Sequence, residues 1–250
     1  MYDRNDLPAM ALPSVLLEVE RLQQPDDLSC GPTSLLQTYR FLGIERTLDE
    51  VMAAIRRNPD GGTLAVYLGL SALEEGLAAT IYSYNFSIFD PTWDRLSREE
   101  MLDRLDRRVR AVEGARLRRI TRAYADFLRE GGRLELPELD RRLLVDLLAS
   151  GRPIITGLSA TYLYRTPREL YEEYDDIRGY PVGHFVVISG YDPRTDLFMV
   201  VDPSPHTPYS ATGVYPVPAE RLMAAILLGD ATYDAVLLVL DPPGDGAALP

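Results

Sequence analysis

The stretch Gln24-Pro-Asp-Asp-Leu-Ser-Cys30-Gly-Pro-Thr-Ser34 decides how this chain is read. Behind Pro32, which is tolerated in a first helical turn, Leu35, Leu36, Tyr39 and Leu42 recur at helical spacing, and Gly43 is placed to stop the run. A helix over residues 31–42 is predicted, with Cys30 at its start. Unsatisfied backbone N–H groups and the helix dipole at that end stabilise a thiolate. Gln24 stands six residues upstream, in the loop that delivers the chain to the helix. Its amide and the Cys30 backbone N–H can face one spot, the arrangement of an oxyanion hole.

A nucleophilic cysteine needs a base, and the base needs a group to orient it. Two β-branched runs, residues 184–190 and 197–201, flank the turn-rich segment Tyr191-Asp-Pro-Arg-Thr-Asp196 and read as a hairpin. If that hairpin is symmetric about Pro193, His184 lies directly opposite Asp202, with Cβ atoms roughly 4.5–5.5 Å apart. His206, in Ser204-Pro-His206-Thr-Pro, is the second of only two histidines; it follows Asp202 too closely to receive a cross-strand carboxylate and reads as surface loop.

The remaining pattern places helices before strands. Residues 1–13 read as a loose leader and 14–19 as a short strand. Helices are expected over 47–57 and over 64–75, the second stopped by Gly76, followed by a strand over 79–86. Another helix closes at 143–149, and strands are expected over 154–158 and 235–240. This order indicates an α+β fold, with residues 1–250 forming one domain.

Residues 94–142 differ in composition, holding 14 of the 26 arginines against 11 acids. Met101, Leu105, Val109 and Val112, then Leu117, Ile120 and Tyr124, fall at helical spacing, which predicts an Arg-rich helical insertion with arginine on its solvent side. A docking surface for an acidic partner is the alternative use of that face. Tyr162, Tyr164, Tyr171, Tyr174 and Tyr180 cluster before His184 among Glu172, Glu173, Asp175 and Asp176. An amphipathic surface helix is the first reading of them, and a peptide-lining flap the second. Gly131-Gly132 lacks a following Gly-Lys-Ser/Thr and is a linker, not a phosphate loop.

Composition narrows the function classes. The formal charge is −12 and there is no lysine, which argues against a nucleic-acid or anionic-membrane protein. One cysteine cannot form an internal disulfide, and one cysteine with two histidines makes a metal cluster unexpected. Neither a signal peptide nor an apolar run of about 18 residues stands out, so a cytoplasmic protein without metal or organic cofactor is expected.

The segment from Gln24 to Ser34 resembles the catalytic segment of the bacteriocin-processing, double-glycine leader peptidases, a branch of the papain-like cysteine peptidases. In that family a glutamine, five residues and then Cys-Gly open the central helix. Gly183-His184-Phe-Val-Val-Ile-Ser-Gly-Tyr-Asp192, with Val200-Val-Asp202-Pro203, is similar to the family's histidine hairpin and its orienting aspartate. Residues 61–77 and 147–155 resemble its middle helix and Gly-x-Pro strand entry, so the resemblance spans about 150 residues with four motifs in order. It implies a papain-like fold, with the nucleophile helix packed on a C-terminal antiparallel sheet. It further implies Gln24 as oxyanion donor, Cys30 as nucleophile, His184 as general base and acid, and Asp202 as orienter. The implied activity is cleavage of a peptide or amide bond through a Cys30 acyl-enzyme. A cysteine-dependent acyl or peptidyl transferase and a non-catalytic peptide-binding domain are the alternatives on the same fold. Ser29 replaces the family's usual acidic or polar neighbour of the cysteine, and the 94–142 block is far longer than the family's connection.

Overall fold

A computed structural model describes residues 12–59 and 61–242, so only the last two residues of the expected leader are described. Strand β1 (Val15–Leu16) leads by a long loop to helix α1 (Cys30–Phe41). Helix α2 (Leu48–Ala54) starts at a reciprocal cap, with the Thr47 side chain accepting from the Glu50 N–H and the Glu50 carboxylate accepting from the Thr47 N–H. Helix α3 (Ala65–Glu74) and strand β2 (Ala78–Ser83) complete the first part.

The arginine-rich segment forms helices α4 (Arg98–Ala111) and α5 (Ala115–Arg129) and a short strand β3 (Arg133–Glu135). Ser97 and Glu100 cap α4 in the same reciprocal way. Helix α5 buries Ile120, Tyr124, Phe127 and Leu128 in the core that α3 shares. Arginines of both helices are engaged inside the chain: Arg129 of α5 pairs with Asp106 at 2.6 Å, and Arg108 of α4 donates to the Ser87 carbonyl at 2.6 Å.

Helix α6 (Arg141–Ala149), strand β4 (Ile154–Ser159) and helix α7 (Ala160–Tyr164) follow. The tyrosine-rich stretch is not a surface helix. Beyond α7 it forms a two-stranded hairpin of β5 (Glu169–Leu170) and β6 (Glu173–Tyr174). Tyr171 and Glu172 at its tip have φ of 53° and 67°, a left-handed pair that turns the chain back on itself and is incompatible with a continuing right-handed helix. Strands β7 (Gly183–Asp192) and β8 (Leu197–Val201) form the expected hairpin, and β9 (Val214–Pro218), α8 (Ala219–Leu227) and β10 (Val236–Asp241) end the described chain.

One sheet organises these elements in the order β3-β2-β10-β4-β7-β8-β9, with β1 paired to the far end of β7. All its pairs are antiparallel except β2 with β3. The sheet is thus not purely C-terminal, because β2 and β3, from before α6, form one edge. Ile155, Val187 and Leu238 face the core shared with α1, α3 and α5, whereas Ile154, Ile188 and Leu237 face the core shared with α6 and α8. Burial of both faces explains why β4, β7 and β10 read as continuous apolar runs rather than as alternating strands.

Candidate functional site

The chain enters α1 through a turn built on Asp26, whose carboxylate accepts the Leu28 N–H at 2.9 Å and the Ser29 hydroxyl. Further back, the Leu22 N–H donates to Gln37 Oε1 at 2.8 Å and the Gln24 N–H to the Pro203 carbonyl at 2.9 Å. The loop is therefore tied both to α1 and to the segment after Asp202. Arg21 adds two more ties, donating to the carbonyls of Asp202 and Ser204. Gly31 permits close packing below the cysteine, since a Cβ there would lie 3.3 Å from the Phe185 ring and collide with the Thr63 methyl.

Helix α1 packs on β7, and this brings the half-buried Cys30 close enough to His184 for the two side chains to interact electrostatically. His184 Nε2 meets Asp202 Oδ1 at 2.8 Å, which leaves Nδ1 for the thiol. Burial alone lowers the pKa of this imidazole; the Asp202 carboxylate and then Cys30 outweigh burial and push it up to about 10. These neighbours favour the protonated ring.

Asp202 is fully buried and accepts four hydrogen bonds. Oδ1 takes His184 and, at 2.9 Å, the Ser204 N–H, while Oδ2 takes the Tyr164 and Tyr215 hydroxyls, each at 2.5 Å. Burial opposes its charge, but His184 and the two hydroxyls more than compensate, and the carboxyl is held below its ordinary range. The two tyrosines are pushed far up, first by desolvation and then by the neighbouring charge, and so remain donors.

The contact between His184 and Asp202 is reached by a different register from the one expected. Val187 pairs with Val201 and Ile188 with Val200, with an irregularity between Ile188 and Gly190, so His184 is not directly opposite Asp202. Asp202 follows β8 and in that register falls across from Val186, two residues from His184 and on the same face. Such diagonal neighbours lie within reach of long side chains.

Gln24 is buried in the loop before Cys30; its Nε2 donates to the Asp26 carbonyl at 2.9 Å and its Oε1 has no partner among the described residues. The Cys30 N–H, in the first turn of α1, has no intrahelical acceptor. His206 is exposed in a loop, where its backbone N–H donates to Ser204 Oγ. Sequence reasoning missed Tyr215 altogether and did not separate Tyr164 from the other tyrosines.

A cavity of about 310 Å³ opens beside Cys30, lined by residues that include Asp27, Thr63, Arg116, Gly183, Thr232 and Asp234. Arg116 comes from α5, so the arginine-rich segment supplies part of the wall. Its guanidinium lies over the Tyr233 ring, 5.0 Å from the centroid. Asp234 is buried and its Oδ1 accepts the Ala65 N–H at the start of α3, at 3.0 Å. Desolvation pushes its carboxyl up to about 7 against the opposing effects of that N–H and of Arg116. Among the described residues no group of His, Cys, Asp and Glu could hold a metal ion, and no helix is long and apolar enough to cross a membrane.

A helix with a cysteine at its N-terminus, packed on an antiparallel sheet that carries a histidine and an aspartate bonded to each other, is the papain-like α+β arrangement. Residues 123–222 match the model of the Peptidase_C39 like family, which bears out the resemblance carried by the motifs. That span includes His184 and Asp202 but not Gln24 or Cys30. No curated protein matches the chain. Among solved structures it is similar to a candidate C39-like peptidase from Bacillus anthracis, at 16% identity over 91% of this chain and 97% of that one, TM-score 0.47. It is also similar to xylellain, a cysteine protease from Xylella fastidiosa, at 14% identity over 93% and 87%, TM-score 0.48. A double glycine motif protease from the AMS/PCAT transporter, solved in complex with the leader peptide, aligns at 16% identity over 92% and 97%, TM-score 0.43.

Proposed function

We propose that the protein is a cysteine peptidase that cleaves a peptide or amide bond through a Cys30 thioester. The observation that carries this reading is the placement of Cys30 beside His184, whose ring is bonded to a buried, fully bonded Asp202. The Cys30 thiolate attacks the carbonyl carbon, and the oxyanion that forms is met by the Cys30 backbone N–H and the second hydrogen of Gln24 Nε2. His184 gives its Nδ1 proton to the leaving nitrogen, the C–N bond breaks, and the thioester remains. Neutral His184 then takes a proton from water as the water oxygen attacks, releasing the acid and regenerating the thiolate and imidazolium pair. Asp202 stays ionised throughout and fixes the ring through Nε2. The substrate is a peptide. The arginine-rich segment enters this reading through Arg116 at the cleft rather than as a face for an acidic partner.

The test is iodoacetamide labelling of native Cys30 against pH, followed by intact mass, in wild type and in His184→Ala. Substantial labelling below about pH 7 that is lost in the variant supports an activated pair. Profiles that rise together near about pH 8.5, or no labelling in either protein, would end the catalytic reading.

A further inference from the structure

The cavity beside Cys30 is lined by two carboxyl groups that no arginine within the described residues pairs with. Of its two carboxylates, Asp27 is exposed at the rim and Asp234 is buried, only 7% exposed. Arg116 is the one cation among the lining residues and rests over Tyr233 instead of pairing with either carboxylate. The capping role of Asp234 explains one oxygen only: the Ala65 N–H is its sole hydrogen-bond donor among the described residues. Outside the cavity, Glu169 on the β5–β6 hairpin lies close enough to Asp27 and to Glu172 for the acids to repel, and burial together with these neighbours raises the Glu169 carboxyl. None of Asp27, Glu169, Glu172 or Asp234 has an ion-pair partner among the described residues. The second Asp234 oxygen is not sealed in the protein and is open to the cavity, where an incoming donor can meet it.

We propose that this cavity is a subsite for a cationic side chain of the substrate, lysine or arginine, with Asp234 as its deep anionic contact and Asp27 at its rim. The proposal rests on the peptidase reading and adds specificity to it. Its volume of about 310 Å³ lies at the lower end of small-ligand sites, enough for one long side chain. Arg116 offsets one carboxylate from the rim, and a substrate cation offsets the other.

The test reads covalent capture, independent of turnover. Dipeptidyl chloromethyl ketones that differ only in lysine, norleucine or glutamate at one position are reacted with the native protein, and Cys30 modification is timed by mass. Iodoacetamide, too small to use the cavity, serves as the reference. Lysine is expected to react faster than norleucine by about tenfold or more at one of the two positions, with glutamate slowest. Asp234→Asn keeps the acceptor for Ala65; with each rate taken relative to that variant's own iodoacetamide rate, it should bring lysine and norleucine to within about twofold. Arg116→Ala, at an exposed position, should increase the lysine advantage. Norleucine or glutamate matching lysine in the wild type, a lysine advantage that survives Asp234→Asn, or one that falls in Arg116→Ala overturns the subsite. Iodoacetamide labelling that does not depend on His184 instead overturns the peptidase reading, and the subsite with it.

Discussion

Tyr215, on the edge strand β9, donates its hydroxyl to Asp202 Oδ2 at 2.5 Å, and Tyr164, from α7, donates to the same oxygen. A carboxylate with no solvent contact therefore has every lone-pair direction used, two by hydroxyls, one by imidazole and one by a backbone N–H. This makes the charge on Asp202 affordable and fixes the histidine it faces.

Tyr215→Phe leaves Asp202 short of one donor and should cost about 1.5–3 kcal/mol of stability, the range for a hydrogen bond to a charged group. Because the Asp202 carboxyl is held low, its contribution is present above the ordinary carboxylate value and is lost as pH falls through the native one. The variant should lose stability at a higher pH than wild type on the acid side. Urea denaturation across the acid range checks both expectations, and an unmoved acid limb would contradict the second.

Gln24→Ala and Asp202→Asn should separate oxyanion binding from base orientation. The first should cut turnover by about 10²-fold or more while Cys30 alkylation stays nearly intact, since alkylation develops no oxyanion. The second should lower turnover by about 10²–10⁴-fold and alkylation by less. Parallel assays of peptide hydrolysis and iodoacetamide labelling distinguish them; an alkylation rate that collapses in Gln24→Ala would reverse the assignment.

His184 is pushed up to about 10 from an ordinary value of 6.5. A raised imidazole stabilises the fold fully below the ordinary value, and that stability disappears as pH rises through the native value. Wild type should therefore lose stability between those limits, and His184→Gln should remove that component. Thermal melts of both proteins across the interval provide the comparison.

Asp234 behaves in the opposite sense for a carboxyl, since its ordinary value of 3.8 is raised to about 7. The native state prefers it neutral, so stability falls as pH rises from the ordinary value through the native one. Asp234→Asn should melt higher than wild type at about pH 8 and show little gain at about pH 4. Loss of stability at both values would show that the carboxylate itself holds α3 in place.

Gly69 is where α3 meets α5: a Cβ there would stand 2.8 Å from the Phe127 ring. Gly69→Ala should destabilise by about 1–3 kcal/mol through overpacking. A smaller urea midpoint with an unchanged slope is the expected signature. An unaffected midpoint would mean that α5 docks loosely and that its arginines are free of the core.

Much of the fold was legible because its signals are local. Pro32, the apolar spacing behind it and Gly43 define α1, and the β-branched runs define β7 and β8. The unread elements follow physical rules that point away from the usual signals. β9 contains Pro216 and Pro218, tolerated because an edge strand need not donate on its outer side, and Tyr171-Glu172 makes a tight turn without glycine. The hairpin centre was misplaced because a connecting loop and an irregular pair at Ser189 shift register without changing hydrophobic pattern.

For the site, sequence alone determined which side chains could do the chemistry: a cysteine at a helix start, a glutamine just before it, and a histidine and an aspartate at the open end of one hairpin. Those are properties of residue type and short-range order. Only the tertiary structure decided that Tyr164 and Tyr215 converge on Asp202, and that α5 brings Arg116 to the same cavity as Asp234. Those contacts join residues far apart in the chain, and sheet order and helix packing, rather than any local preference, bring them within hydrogen-bonding and electrostatic range.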